Sequence, residues 1–336
     1  MNKRAVKNNK RRILYQLKRS GWRYFSERER RLRRWKSGGE YRVSTNKYTT
    51  IENLESPTNL SFIDNTEGVL EYLKSAAKYA QVFQPIRFDI SNITSLTPET
   101  IPLLLSHITS LGYNKRVAIY GNSPNNENFR KLFTESGFFD HVRSKVNPTA
   151  REKNLMHKET FYIVKPDIAA KALALATANL NYDEDKMESV YNIFVELMSN
   201  THHHASLEKY GDVRWWLYVY SNPDTGLNSV SFLDLGVGIF KSLIVKNYLV
   251  SIGKKLNLIK NIDYVDDLIS GKIQSRIEID KKMRGKGIPQ IVQYSSLDHF
   301  RKFYIITNDI KLDLKGKTKL QLKNSFKGTF YYFELA

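Results

Sequence analysis

The chain of 336 residues contains no cysteine, which excludes disulfide cross-links and thiolate-bound metal sites. It also lacks long hydrophobic runs: none reaches the ~18 residues that a membrane-spanning helix needs. The first residues are charged where a secretory leader would be apolar, so no leader is expected. No internal repeat and no low-complexity tract is present. Negative charge is in short supply, with 34 Asp and Glu against 53 Lys and Arg, a net +19. What is present is a hydrophobic fraction of 41% with 12% aromatics, which supports packed cores rather than disorder. The length suffices for two domains of ordinary size.

The positive charge is concentrated at one end. Residues 1–42 hold sixteen Lys and Arg against three Glu, thirteen of the net nineteen charges. Arg11, Arg12, Lys18, Arg19, Arg30, Arg31, Arg33 and Arg34 are interleaved with Tyr15, Trp22, Tyr24, Phe25 and Trp35. A solvated tail has such a composition, and an acidic protein or an anionic membrane surface would satisfy the charge. The aromatic interleaving favours nucleic acid, where cations neutralise phosphates and rings offer stacking surfaces.

Ser37-Gly-Gly39 ends this basic arm, residues 1–43, and the polar stretch 44–59 reads as a linker. From 60 to 146 the pattern alternates: helix over 69–82, strand 86–90, helix 98–111, strand 116–120, helix 126–136 closed by Gly137. That alternation predicts a small α/β layer structure with a mostly parallel sheet. Residues 147–158 read as a second linker, and a further domain occupies 160–336.

Three segments of that domain draw attention by their order. In the first, 183–210 reads as one helix with Met187, Val190, Tyr191, Phe194, Met198 and Thr201 on an apolar stripe. Glu196, Asn200 and His203 share the opposite stripe. His202, His203 and His204 do not make a metal site, since neighbouring helix positions point ~100° apart and the i, i+4 spacing is lacking. In the second, the apolar run 230–233 leads into Asp234-Leu-Gly236-Val-Gly238-Ile239, a strand followed by a glycine turn. In the third, Arg284-Gly285-Lys286-Gly287-Ile288 opens a helix, an arrangement suited to anions. A strand, 328–335, contains Thr329 and closes the set.

This succession resembles the N, G1 and G2 boxes of the Bergerat-fold (GHKL) ATP-binding domains, the group of sensor histidine kinases, anti-sigma-factor kinases, type II topoisomerase ATPase subunits and heat-shock chaperones. The resemblance implies an α+β fold with a C-terminal Bergerat α/β sandwich. It implies ATP and Mg²⁺ as cofactors, Glu196 as the base that activates water, and Asn200 as metal ligand. Asp234 would read the adenine amine, and Gly236, Gly238, Gly285 and Gly287 would let the backbone approach the nucleotide. Arg284, Lys286 and the helix start at Ile288 would meet the triphosphate, with His203, Ile239 and Thr329 completing the ATP-binding set. The interval 240–283 corresponds to the family's ATP lid, where Tyr264, Asp266 and Asp267 are candidate partner contacts.

The preceding region resembles a STAS domain on Phe88-Asp-Ile-Ser-Asn-Ile93 and the helical stretch 101–105. Where antagonist members carry a phosphorylatable Asp-Ser-Ser-Gly turn, this chain has Thr97-Pro98-Glu99-Thr100. That departure argues for an interaction or scaffold role over a phosphoswitch. The expected whole is a cytoplasmic ATP-binding regulator, an Mg²⁺-dependent ATPase or ATP-operated switch that engages nucleic acid through residues 1–42. A protein partner would bind at the STAS-like domain or the lid. An anti-sigma-type Ser/Thr or His protein kinase and a non-hydrolysing nucleotide sensor are the alternatives. No dimerising hairpin with a phosphoacceptor His precedes residue 160.

Overall fold

The computed structural model describes residues 50–115, 117–143, 154–160, 164–204, 214–242, 260–273 and 287–336, and over 60–143 the expected alternation is present. Helix α1, Thr66–Gln81, is started by Asn65, whose Oδ1 accepts from the Gly68 amide at 3.3 Å. It buries Val69, Leu70, Tyr72, Leu73, Ala76 and Ala80, a single stripe at helical spacing. Helix α2 spans Thr100–Lys115. Helix α3, Glu127–Glu135, is capped by Asn126 and ends before Gly137, whose φ is 93°.

These helices pack around a parallel sheet of β1 (Glu52–Glu55), β3 (Ile86–Asp89) and β5 (Ile119–Gly121), in the order β1-β3-β5. The short strands β2 (Asn59–Leu60) and β4 (Ser95–Leu96) form a parallel pair of their own. The linker expected over 44–59 is therefore corrected: β1 lies inside it and β2 begins at its last residue. β1 is an edge strand in which only Leu54 is buried, so the apolar alternation that signals a strand is missing.

The C-terminal part is built on a wholly antiparallel sheet in the order β6-β7-β8-β10-β9. Its strands are β6 (Asn154–Thr160), β7 (Arg214–Asn222), β8 (Leu227–Asp234), β9 (Phe300–Asp313) and β10 (Thr318–Leu335). β6 overturns the second expected linker, 147–158, for the same reason as β1: it is a polar edge strand. On one face lie α4 (Pro166–Ala176), α5 (Glu184–His204) and α8 (Gly287–Ser295). Val190, Ile193, Phe194, Leu197 and Met198 of α5 pack there with Trp215, Leu217, Phe232 and Phe333 of the sheet. Met187, expected on the buried stripe, is 36% exposed in the first turn of α5, and the stripe begins at Val190.

The other face of this sheet is covered by the N-terminal layer. Trp216, Leu233, Ile306, Phe326 and Phe330 join the core of α1, α2, β1 and β3. Phe62 meets Phe330 edge to face with ring centroids 4.9 Å apart, and Phe326 at 5.7 Å. Such contacts add about 0.5–1.5 kcal/mol each beyond burial. At the rim, Glu67 of α1 accepts from the amides of Lys323 and Asn324 at 2.5 and 3.2 Å. The described residues from 50 to 336 thus form one compact unit with mixed α and β structure. No helix among the described residues is long and apolar enough to cross a membrane.

Candidate functional site

Helix α5 delivers Glu196 and Asn200 to the surface on which α8 rests. The two helices run antiparallel: Tyr294, near the end of α8, accepts from Asn192 Nδ2 at 3.1 Å, while Gly287, at its start, meets the turn holding Glu196 and Asn200. A Cβ placed on Gly287 would stand 2.6 Å from Asn200 Oδ1 and 3.2 Å from Glu196 Oε2, so any larger residue would have to push the Asn200 amide aside. Ile288 and Pro289 continue the first turn, where proline is tolerated because its missing N–H has no helical partner.

Burial raises the Glu196 carboxyl above the usual carboxylate range. Asn200 Nδ2 is buried with no hydrogen-bond partner among the described residues, a costly condition for an amide. Thus two polar side chains of α5 converge on the first described residue of α8.

Asp234 is the last residue of β8 and is 6% exposed. Its Oδ1 accepts from the Gly236 amide at 2.8 Å. Burial nevertheless pushes its pKa up to about 7, against the downward pull of the Gly236 and Thr329 amides. Thr329 lies directly opposite Asp234 in the β8–β10 ladder and is itself buried. Gly328, with φ 112°, brings the chain so close that a Cβ would lie 1.9 Å from the Asp234 carbonyl oxygen. Asp234 stands two residues beyond Phe232, which packs in one core with Phe194 and Leu197 of α5, so strand alternation puts its side chain on the α5 side of the sheet with Glu196.

No protein-family model matches the chain, and no curated protein matches it. The site therefore stands on its residues.

The structure brings together Glu196, Asn200 and Gly287 in one place, and Asp234, Gly236 and Thr329 in another. Gly238 (φ 81°) and Ile239, at the start of the short helix α6 (Ile239–Ser242), continue the turn after Asp234. His203 is the last residue but one of the described part of α5, its side chain lying outside the described residues, as do Arg284, Gly285 and Lys286. Of the interval 240–283, residues 260–273 form a 3₁₀ turn, Asn261–Tyr264, and helix α7, Val265–Ile269. Tyr264 is packed into the core, Asp266 pairs with Lys319 at 2.8 Å and Asp267 with Lys272 at 3.6 Å. Thr100, in the N-terminal layer, is fully buried and accepts from the Phe62 amide, while Thr97 donates to the buried Glu99.

Thr307 and Asn308 escaped the sequence reading. Both are buried and hydrogen-bonded to the turn after Asp234. The signal was a polar triplet, Thr307-Asn-Asp309, interrupting an otherwise apolar strand.

Proposed function

We propose that the chain is an ATP-binding regulator, a Mg²⁺-dependent ATPase whose C-terminal part has the Bergerat arrangement and whose N-terminal layer is STAS-like. The observation that carries this reading is the convergence of Glu196, Asn200 and Gly287 on the side of the sheet where Asp234 is buried. These are the N-box, G2-box and G1-box positions, drawn from three segments that together span about ninety residues of chain.

The roles follow from chemistry. Asp234, ionised, accepts a hydrogen bond from the exocyclic amine of adenine, and its near-neutral pKa makes that acceptance sensitive to pH. Gly236 and Gly238 leave room for the base. The amides opening α8 at Gly287 and Ile288 face anionic oxygens, with Arg284, Lys286 and His203 adding positive charge.

Asn200 suits Mg²⁺ as a hard, uncharged oxygen ligand. No group of three or more His, Cys, Asp or Glu among the described residues is arranged to hold a metal, so phosphate oxygens and water would supply the remaining ligands. The ion would neutralise charge developing on the triphosphate. Glu196 holds a carboxylate one helical turn away, and burial raises its affinity for a proton, as a general base requires. Such a protein works in the cytoplasm. The cationic surplus of residues 1–42 supports nucleic acid as its partner.

The test is incubation of the purified protein with γ-labelled ATP and Mg²⁺, with and without DNA or RNA. Release of labelled phosphate is expected. Label retained on protein would instead support a kinase, and intact ATP a sensor or no nucleotide role.

A further inference from the structure

We infer that Thr307 and Asn308 are positioning residues that latch the turn from Asp234 to Phe240 to β9 and thereby fix how Asp234 meets a base. The latch itself follows from the hydrogen bonds described below. The base-selectivity part rests on the nucleotide reading.

The turn after β8 leaves its strand partners behind, so its backbone groups need other acceptors and donors. Two consecutive side chains, about seventy residues later, supply them. Asn308 uses both ends of its amide: Oδ1 accepts from the Phe240 N–H at 3.0 Å, and Nδ2 donates to the Val237 carbonyl at 2.9 Å. Thr307 likewise spends both capacities. Its Oγ1 accepts from the Ile239 N–H at 2.9 Å and donates to the Gly328 carbonyl at 2.9 Å. One hydroxyl therefore joins the turn after Asp234 to the residue pressed against the Asp234 backbone.

Two conformational costs are concentrated here. Asn308 adopts φ 53°, a region that asparagine tolerates better than most residues. Gly238 adopts φ 81°, and the Asn308 amide fills the space where a Cβ would stand, 2.6 Å away. Both residues of the latch are buried, so their bonds are not shared with bulk water. No other uncharged side chain of this length offers a donor and an acceptor together in such a backbone conformation; aspartate would lose the donation to Val237. Neither residue is hydrogen-bonded to the Asp234 carboxyl. Their action passes through the turn.

The test uses the full-length protein with Asn308→Gly, which keeps the backbone conformation and removes the bridge, and Thr307→Val, which removes the hydroxyl at constant volume. Amide hydrogen exchange without nucleotide reads the latch directly. At least about tenfold faster exchange is expected at Phe240 in the first variant and at Ile239 in the second, as for loss of one buried hydrogen bond. Calorimetry with MgATP and MgGTP reads the consequence: a preference for ATP in the wild type that narrows about tenfold in Asn308→Gly. A purely structural role would lower stability and leave the ATP-to-GTP ratio unchanged, and that result overturns the selectivity role. Unchanged exchange at both amides in folded variants overturns the latch. A wild-type protein that binds neither nucleotide refutes the nucleotide reading and the selectivity role with it, while the exchange result still decides the latch.

Discussion

Replacing Asp234 by asparagine should make the protein more stable at neutral pH while weakening its hold on ATP. The carboxyl is buried, and its pKa is pushed from 3.8 up to about 7. Between those values the unfolded chain releases a proton that the folded chain keeps. Folding stability therefore declines as pH rises from about 4 to about 7 and is flat beyond. A displacement of some three units corresponds to on the order of 4 kcal/mol at about 1.36 kcal/mol per unit. Asparagine preserves the acceptor for the Gly236 amide and has nothing to titrate. Urea unfolding at pH 5 and pH 8 should show the advantage of the variant growing with pH. Parallel profiles for the two proteins would refute the claim that a carboxyl is held protonated there. In calorimetry the variant should lose about 1–3 kcal/mol of ATP affinity, the cost of an unmade buried hydrogen bond. For the wild type, affinity should rise with pH up to about 7, since the acceptor is the ionised form. Unchanged affinity in a folded Asp234→Asn protein would remove adenine from the site.

Glu196→Ala should leave ATP affinity nearly unchanged and slow hydrolysis about 10²–10⁴-fold. Asn200→Ala should weaken Mg²⁺-dependent binding instead, and hydrolysis at the wild-type rate in Glu196→Ala would return that residue to an ordinary helix face. Gly328→Ala should cost about 3 kcal/mol or more, because a Cβ cannot coexist with the Asp234 carbonyl and the backbone conformation strains an L side chain. A thermal midpoint equal to wild type would contradict this packing. Deleting residues 1–42 should abolish most nucleic-acid binding and flatten its salt dependence while ATP binding persists. Equal mobility shifts with and without the arm would rule out that partner site.

The legible parts of the fold were those with strong periodicity. Helix α1, helix α3 with its Asn126 cap and Gly137 stop, and the apolar strand leading to Asp234 follow from spacing and turn chemistry. The two edge strands β1 and β6 did not, since one side of each ladder is open and polar residues conceal the pattern. The extra length of β10 was hidden by its lysines and by register shifts between Gln321 and Thr329. At the site, Glu196, Asn200 and Asp234 could be nominated from motif order. That Gly287 rests on Asn200, and that Asn308 bridges Val237 and Phe240, are facts of tertiary contact between distant segments, which no local pattern encodes.

Strand β10 serves two neighbours at once. Phe330 and Tyr332 point to the core shared with the N-terminal layer, whereas Tyr331 and Phe333 belong to the core beneath α5. A fragment starting near residue 160 would keep the second core and bare the first. Trp216, Leu233, Ile306, Phe326 and Phe330 would then form a continuous apolar surface open to water, of the kind that drives association. Residues 50–143 thus cover apolar surface that the C-terminal part has no other means of burying among the described residues.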